Sequence, residues 1–144
     1  YKRANLGSQP LIADEVQSEK SFKNTNAILS DEHLEWIVLS LEDWTNSKKY
    51  LESDVTMITL AADVNIPIHH LAYYFNQLSE YKFIEWRNNL RIDYVVELIK
   101  NKQCQNKTVD TLGKECGFKS NSTFVQNFKL RTGMLPSDLM KKYQ

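Results

Sequence analysis

The chain contains few of the residues that interrupt helices. Its 144 residues include only 4 glycines and 3 prolines, which favours a mostly helical chain because these residues end helices and dominate turns. No apolar run approaches the roughly 20 residues needed to cross a bilayer, and residues 1–30 lack the apolar core of a secretory signal. The length suits one domain with an appendage. Because the chain starts at Tyr1, we expect it to be part of a longer protein.

Cysteine and histidine are also scarce. The two cysteines, Cys104 and Cys116, provide no metal or disulfide framework, and His33, His69 and His70 have no ligand spacing with them. We therefore expect reduced thiols, no metal, no cofactor and a cytoplasmic location. The sequence has no glycine-rich phosphate loop and no nucleophile motif, so we expect no enzyme activity.

The whole chain has no net charge, but its two parts have net charges of opposite sign. The 18 Lys and Arg residues balance 18 Asp and Glu residues. Residues 1–55 hold 6 basic and 10 acidic residues, a net charge of −4, and residues 56–144 hold 12 and 8, a net charge of +4. The basic part is where a nucleic-acid interface is expected, although a surplus of four predicts weak non-specific binding and a shallow salt dependence.

The most informative stretch lies near the C-terminus. Apolar residues at spacings of three and four predict a short helix over Val109–Cys116, which breaks at Gly117. Ser120 can cap a second helix, which Gly133 stops, and Pro136 can start another. Two short helices around a tight turn predict a helix-turn-helix, whose second helix enters a DNA major groove.

A second motif of the same kind lies upstream. Thr56 can cap a short helix that ends at Asn65, and Pro67 presets the start of the next helix, from Ile68 to about Leu78. Three- and four-residue spacing predicts that its inward residues are Leu71, Tyr74, Phe75 and Leu78. The residues predicted to face outward are His69, His70, Ala72, Tyr73 and Asn76.

Two longer helices complete the pattern. Apolar residues at helical spacing predict an amphipathic helix over about residues 31–45, capped by Ser30, and a linker helix over residues 82–102. A helix of about 20 residues spans about 30 Å, close to the about 34 Å of one DNA turn. The linker helix can therefore hold two recognition helices in successive major grooves on one face of the duplex.

The C-terminal motif resembles that of the AraC/XylS family of transcriptional regulators, GF…F…FK…TG…PS. It is carried by Gly117-Phe118, Phe124, Phe128-Lys129, Thr132-Gly133 and Pro136-Ser137. The upstream motif is similar to the family's first helix-turn-helix at Leu60-Ala61, Leu71 and Phe75. The linker helix is similar to that of the family at Phe83, Arg91 and Leu98-Ile99. The chain departs from the family at Asn65, Pro67 and Glu80. The resemblance implies that Arg91 is a structural residue that holds the two halves together, rather than a base contact.

Outward residues near the start of a recognition helix read bases. The predicted base-reading residues are His69, Ala72 and Tyr73 in the first motif and Asn121, Ser122, Thr123 and Gln126 in the second. The amides of Asn121 and Gln126 can bond an adenine edge, and the methyl group of Thr123 can meet thymine. No arginine lies on either face, which favours A·T-rich half-sites. The candidate phosphate contacts are Lys119, Lys129 and Arg131.

The sequence thus predicts an all-α fold in which two helix-turn-helix subdomains are joined by a long linker helix and preceded by an N-terminal amphipathic helix. The predicted organisation is a linker or tail (1–29), a support or docking helix (30–55) and a DNA-binding domain (56–144). The last comprises the first motif (56–80), the linker helix (82–102), the second motif (108–132) and a closing helix (136–143).

The predicted function is sequence-specific binding of double-stranded DNA in transcription regulation, as activator or repressor. The alternative is a helical protein-interaction or dimerisation module that docks partners through the acidic first helix, with weak or lost DNA binding. Regulators of this family commonly carry a separate sensor domain, so an N-terminal sensor region of the same protein is an expected partner. RNA polymerase and a second copy of the chain are further candidates.

Overall fold

The computed structural model describes residues 29–144, and these residues form helices and no strand. The predicted tail therefore lies outside the described residues except for Leu29. The helices are α1 (Asp31–Asn46), α2 (Met57–Val64), α3 (Ile68–Tyr73), α4 (Phe83–Lys100), α5 (Val109–Glu115), α6 (Asn121–Thr132) and α7 (Pro136–Lys142). A 3-10 turn covers Lys49–Leu51, and a π-helical turn, Tyr74–Leu78, continues α3. The predicted all-α fold is confirmed. None of the helices within residues 29–144 has the length and apolar character to cross a membrane.

Four helices begin at the hydroxyl caps that the sequence indicates. In each, the side-chain oxygen accepts a hydrogen bond from the backbone N–H three residues on, at 3.1–3.2 Å. The capping residues are Ser30, Thr56, Thr108 and Ser120. Asn65 and Gly133 adopt left-handed conformations (φ 57° and 79°) and end α2 and α6. Short-range side-chain chemistry thus sets the start of four of the seven α-helices within residues 29–144.

The described chain divides into two compact units. The first unit contains residues 29–48 and Val55–Trp86, and the second contains Lys49–Asp54 and Arg87–Gln144. The linker helix α4 belongs to the first unit through Trp86 and to the second from Arg87 onward.

An aromatic cluster forms the core of the first unit. The indole of Trp44 stacks on Trp86 with ring centroids 5.7 Å apart and donates a hydrogen bond from Nε1 to Asp63 Oδ2 at 3.0 Å. Phe75 lies 5.6 Å from Phe83 and 5.1 Å from Trp86. Helix α1 buries Ile37, Leu41 and Trp44, which lie at the three- and four-residue spacing of an amphipathic helix, whereas Val38, three residues before Leu41, is 39% exposed.

A pair of histidines links α1 to α3 within the first unit. Nε2 of His33 lies 2.9 Å from Nδ1 of His70, and the two rings meet edge to face with centroids 4.8 Å apart. One of the two nitrogens must lack a proton for this hydrogen bond to form. Burial, with the neighbouring His33 and His69, lowers the pKa of His70 below its usual value of 6.5.

The core of the second unit lies around α4, α5 and α6. Its fully buried members include Ile92, Leu112, Phe124 and Phe128. A Cβ at Gly113 would lie 2.9 Å from the ring of Phe124, so the missing side chain permits the close approach of α5 and α6. Both cysteines are free thiols buried in this core.

Arg91 is the largest of the fully buried side chains. Its Nε donates to the carbonyl oxygen of Tyr50, and its guanidinium NH2 group to that of Glu52, each at 2.6 Å. The guanidinium also lies over the ring of Phe118, 5.5 Å from its centroid. A Cβ at Gly117 (φ 101°) would lie 2.8 Å from Arg91 Cζ. Arg91 is thus a buried structural residue, as predicted, but these partners all lie in the second unit, where Arg91 holds the 3-10 segment against the turn of the second motif rather than joining the two halves.

The two left-handed glycines allow a matched stability test. We expect Gly117→Ala to lower the free energy of unfolding by clearly more than Gly133→Ala. Both substitutions incur the left-handed backbone penalty of about 1–2 kcal/mol, but only at Gly117 would the new methyl group collide with Arg91, since nothing lies within 4 Å at Gly133. Urea denaturation of both variants measures the difference, and equal losses would contradict the role given to Arg91.

The histidine pair predicts a pH dependence of stability. Because the pKa of His70 is lower in the folded protein, the unfolded chain takes up this proton first as pH falls. The contribution of His70 is therefore complete above pH 6.5 and is lost as pH falls from there toward the lowered pKa. Chemical denaturation across this range should show a decline that is smaller in His70→Gln. The exposed neighbour variant, His69→Gln, should retain it, and identical profiles for wild type and His70→Gln would refute the prediction.

Candidate nucleic-acid interface

The second helix-turn-helix is held by three phenylalanines. Phe118 follows the left-handed Gly117 and packs against Phe124 at a centroid distance of 5.5 Å, and Phe124 packs against Phe128 at 5.9 Å. All three rings are at most 4% exposed. They form the core that orients α6, so their rings are not available to stack on bases.

All four predicted base-reading residues of the second motif are exposed near the start of α6. They are Asn121, Ser122, Thr123 and Gln126. The Oγ1 atom of Thr123 accepts a hydrogen bond from Ser120 Oγ at 2.8 Å, so this hydroxyl is already engaged in the cap. The α6 surface thus presents amide and hydroxyl groups together with one threonine methyl group.

Leu130 shares this surface and was missed by the sequence reasoning. It is 79% exposed, the highest value among the exposed large apolar residues. It lies four residues after Gln126 and eight after Ser122, which is the same helical face. That spacing is the signal that could have identified it, although an apolar side chain is more typical of a core position.

The three candidate phosphate contacts differ in their surroundings. Lys119 and Lys129 are exposed. Arg131 is held by Asp93 in a two-pronged ion pair, with Nε to Oδ1 at 3.0 Å and NH2 to Oδ2 at 2.9 Å. Its guanidinium is therefore shared with a carboxylate, which lessens the attraction that it can offer to a phosphate.

The first motif differs from the predicted arrangement at two residues. His69 is exposed, but Ala72 is 2% and Tyr73 6% exposed, so the prediction that these two residues face outward is wrong. An apolar stripe identifies one covered side of a helix, and α3 is covered on more than one: it packs against α2, and His70 bonds to His33.

The π-helical turn after α3 changes two more positions. Leu78, predicted to face inward, is 47% exposed. Asn76, predicted to face outward, has both polar atoms of its side chain buried. The turn is closed by a bond from Ser79 N–H to the carbonyl oxygen of Tyr74, five residues back, at 2.8 Å. The sequence spacing assumed a regular α-helix, and the wider turn rotates the side chains away from that register.

The two units carry opposite charges. In the first unit, residues 29–48 and Val55–Trp86 contain two Lys or Arg and eight Asp or Glu, a net charge of −6. The second unit contains twelve and seven, a net charge of +5. The contrast is sharper than the halves of the sequence indicate, because residues 56–86, with one basic and three acidic residues, belong to the first unit, and residues 1–28, with four basic and three acidic residues, lie outside the described part of the chain.

Within residues 29–144, no group of three or more His, Cys, Asp or Glu side chains could hold a metal ion. The thiols of Cys104 and Cys116 are buried among apolar side chains, as core residues are. Burial raises the pKa of Cys116 to about 12 and also raises the pKa of Cys104, so both are protonated at neutral pH. The exposed polar groups of α6 are therefore the clearest candidate for a binding surface.

Two solved structures share this fold. The C-terminal domain of AraT, a response regulator from Geobacillus stearothermophilus, superposes with a TM-score of 0.61 at 18% identity, covering 79% of this chain and 87% of that chain. A protein of unknown function from Listeria innocua gives a TM-score of 0.61 at 20% identity, covering 75% of this chain and 98% of that chain. No curated protein sequence matches the chain.

The family model described as a helix-turn-helix domain matches residues 60–142, which include the first motif from Leu60 onward, the linker helix and the second motif. This match covers more than half of the chain, and it agrees with the motifs found in the sequence and with the fold. The chain belongs to the AraC-type helix-turn-helix family of DNA-binding transcription regulators.

Proposed function

We propose that the chain recognises a specific double-stranded DNA sequence with both helix-turn-helix motifs, and that α6 makes the principal base contacts. The observation that carries this proposal is the exposed row of amides and hydroxyls on α6, in the basic unit. The base-reading residues proposed there are Asn121, Ser122, Thr123 and Gln126. Lys119 and Lys129 would contact phosphates beside them.

The capping of α6 supports this assignment. Ser120 fixes the first turn of α6 by accepting from Thr123 N–H at 3.1 Å, and the phenylalanine core fixes the opposite face. A base-reading side chain on such a helix needs little ordering when it binds, which preserves affinity. Gln126 lies one helical turn beyond Ser122, so the two can reach neighbouring base edges in the major groove.

The proposal that the two motifs occupy successive major grooves rests on the length of α4. Its 18 residues span about 27 Å, which approaches the about 34 Å of one duplex turn. Of the three base-reading residues predicted in the first motif, His69 is exposed, and Ala72 and Tyr73 are buried. The ring of His69 can donate a hydrogen bond to guanine. We propose that His69 refines specificity while the second motif supplies most of the affinity.

The charges of the units support this unequal division. A net charge of −6 opposes the approach of the first unit to phosphates, whereas +5 favours the approach of the second. The proposed operator therefore has one strongly read half-site and one weakly read half-site. Since the α6 surface offers amides and apolar groups but no arginine, the strong half-site should be rich in A·T pairs.

A binding selection from random duplexes tests this proposal. We expect the enriched duplexes to contain one strong A·T-rich element and a weaker element about one turn away. Gln126→Ala should relax one position of the strong element, at a cost of about 1–3 kcal/mol in discrimination. His69→Ala should relax only the weak element.

Gln103→Ala, an exposed glutamine in the loop after α4, is the matched control and should leave both elements unchanged. If Gln126→Ala selects the same sequences as the wild type with equal affinity, the proposed role of α6 is wrong. If only the strong element is enriched, the first motif supports the fold without reading DNA.

The salt dependence of binding separates the phosphate candidates. Lys129→Gln should reduce the slope of log affinity against log salt concentration by about one. Arg131→Gln should reduce it by less, because Asp93 already shares that charge at 2.9 Å. Filter binding at several salt concentrations measures both slopes, and a larger change for Arg131→Gln would reverse this assignment.

A second candidate function is favoured by α1. Its exposed surface carries Trp36, Val38 and Leu39, which are 43%, 39% and 55% exposed, and Asp31 and Glu32 lie in its first turn. We propose, as the alternative, that this acidic apolar surface docks on a basic surface of a partner protein. This function requires no DNA affinity, so absence of duplex binding at low salt together with loss of partner binding in Trp36→Ala would favour it.

A further inference from the structure

The helix that should read DNA in the first motif does not end as a regular α-helix. Over Tyr74–Leu78 it becomes π-helical, and Ser79 N–H bonds to the carbonyl oxygen five residues back. Such turns are uncommon, because the wider hydrogen-bonded ring of a π-helix is less favourable than that of an α-helix. Where they occur, they often lie at functional sites. A π-turn in a recognition helix therefore needs a physical explanation.

The turn leaves two side chains in unfavourable positions. Both amide atoms of Asn76 are buried and neither has a hydrogen-bond partner among the described residues. Burying a polar group without a partner costs free energy that a satisfied group does not. Leu78 exposes 47% of its surface to water. One five-residue segment thus buries the two polar atoms of one side chain and exposes an apolar side chain.

A regular α-helix through the same residues reverses both positions. At about 100° per residue, Leu78 would point within about 60° of Phe75, which is 1% exposed. Asn76 would point about 140° away from the fully buried Leu71 and within about 20° of the exposed His69, although Ala72, about 40° away, is buried. The sequence spacing therefore fits the α-helical form better than the π-helical form.

We infer that the recognition helix of the first motif has two forms, and that its α-helical form presents Asn76 to DNA as a base-reading residue. This inference rests on the proposed function. An asparagine amide can bond bidentately to the N6 and N7 atoms of adenine, which supplies the partners that it lacks in the free protein. The gain on binding would drive the π-turn into the α-helical form while Leu78 enters the core.

Asn76 would add a base-reading residue to the first motif, which has fewer exposed candidates than the second. Ala72 and Tyr73, the two neighbours from which the sequence predicted base contacts, are buried. An amide from Asn76 would join His69 on the DNA-facing surface. It would also make binding by the first motif conditional, because part of the contact energy is used in changing the helix.

Asn76→Leu is the decisive substitution, because leucine resembles asparagine in shape but needs no hydrogen bonds. We expect it to raise the midpoint of thermal unfolding of the full chain, since it removes a buried unpaired amide from the π-helical form. We also expect it to weaken binding to the duplex enriched by the wild type at least tenfold. Gln77→Leu, at the neighbouring exposed position, is the stability control and should not raise the midpoint.

Leu78→Gln tests the second half of the inference. Because Leu78 is largely exposed in the free protein, the midpoint of unfolding should stay within a degree or two, as is usual for surface substitutions. Binding to the same duplex should weaken, because the α-helical form would then bury a glutamine. A large fall in the midpoint would overturn the inference, since it would show that Leu78 already stabilises the free form.

The remaining outcomes separate this inference from the proposed function. If Gln126→Ala weakens duplex binding but Asn76→Leu does not, Asn76 reads no base and only the present inference fails. If Asn76→Leu lowers the midpoint of unfolding, the amide has a stabilising role in the free protein and the two-form helix is wrong. If no duplex is enriched, both proposals fail together.

Discussion

The buried guanidinium of Arg91 is the contact on which the second unit depends. A cation removed from water is costly unless other groups replace its hydration, and here two main-chain oxygens at 2.6 Å and the face of Phe118 do so. Burial and the nearby Arg87 lower the pKa of Arg91 to about 10, which still leaves it charged at neutral pH. Because the charge persists, its partners must stay in place.

That requirement fixes three separate parts of the chain. The main-chain oxygens belong to Lys49–Asp54, a segment that lies between α1 and α2 in sequence but in the second unit in space. Phe118 and Gly117 form the turn of the second motif, and Arg91 itself lies on the linker helix. Arg91 therefore contributes, together with the phenylalanine core, to the orientation of α6 and of its exposed amides and hydroxyls, although it makes no DNA contact in the proposed function.

The two motifs share a topology but differ in how well their local sequence supports it. In the second motif, a left-handed glycine and a serine cap define the turn, and every predicted reader is exposed. In the first, Pro67 provides no side-chain cap, α3 is six residues long and a π-turn follows it. The net charges of the two units differ in the same way, since the unit with the second motif is basic and the unit with the first is acidic. Although the whole chain has no net charge, the basic unit attracts phosphate and the acidic unit repels it.

The sequence by itself determined the helices, their caps and the family motifs, because these depend on residues three or four positions apart. It also identified the exposed residues of α6, where one face is covered and the helix is regular. Only the tertiary structure decided which residues of the first motif are accessible. Ala72 and Tyr73 are buried because α3 is covered on more than one side. The positions of Asn76 and Leu78 follow from a π-turn. Neither feature can be recognised from the spacing of apolar residues in the sequence. The partners of Arg91 were likewise undetermined, since they lie about 40 residues away along the chain and meet it only when the second unit has folded.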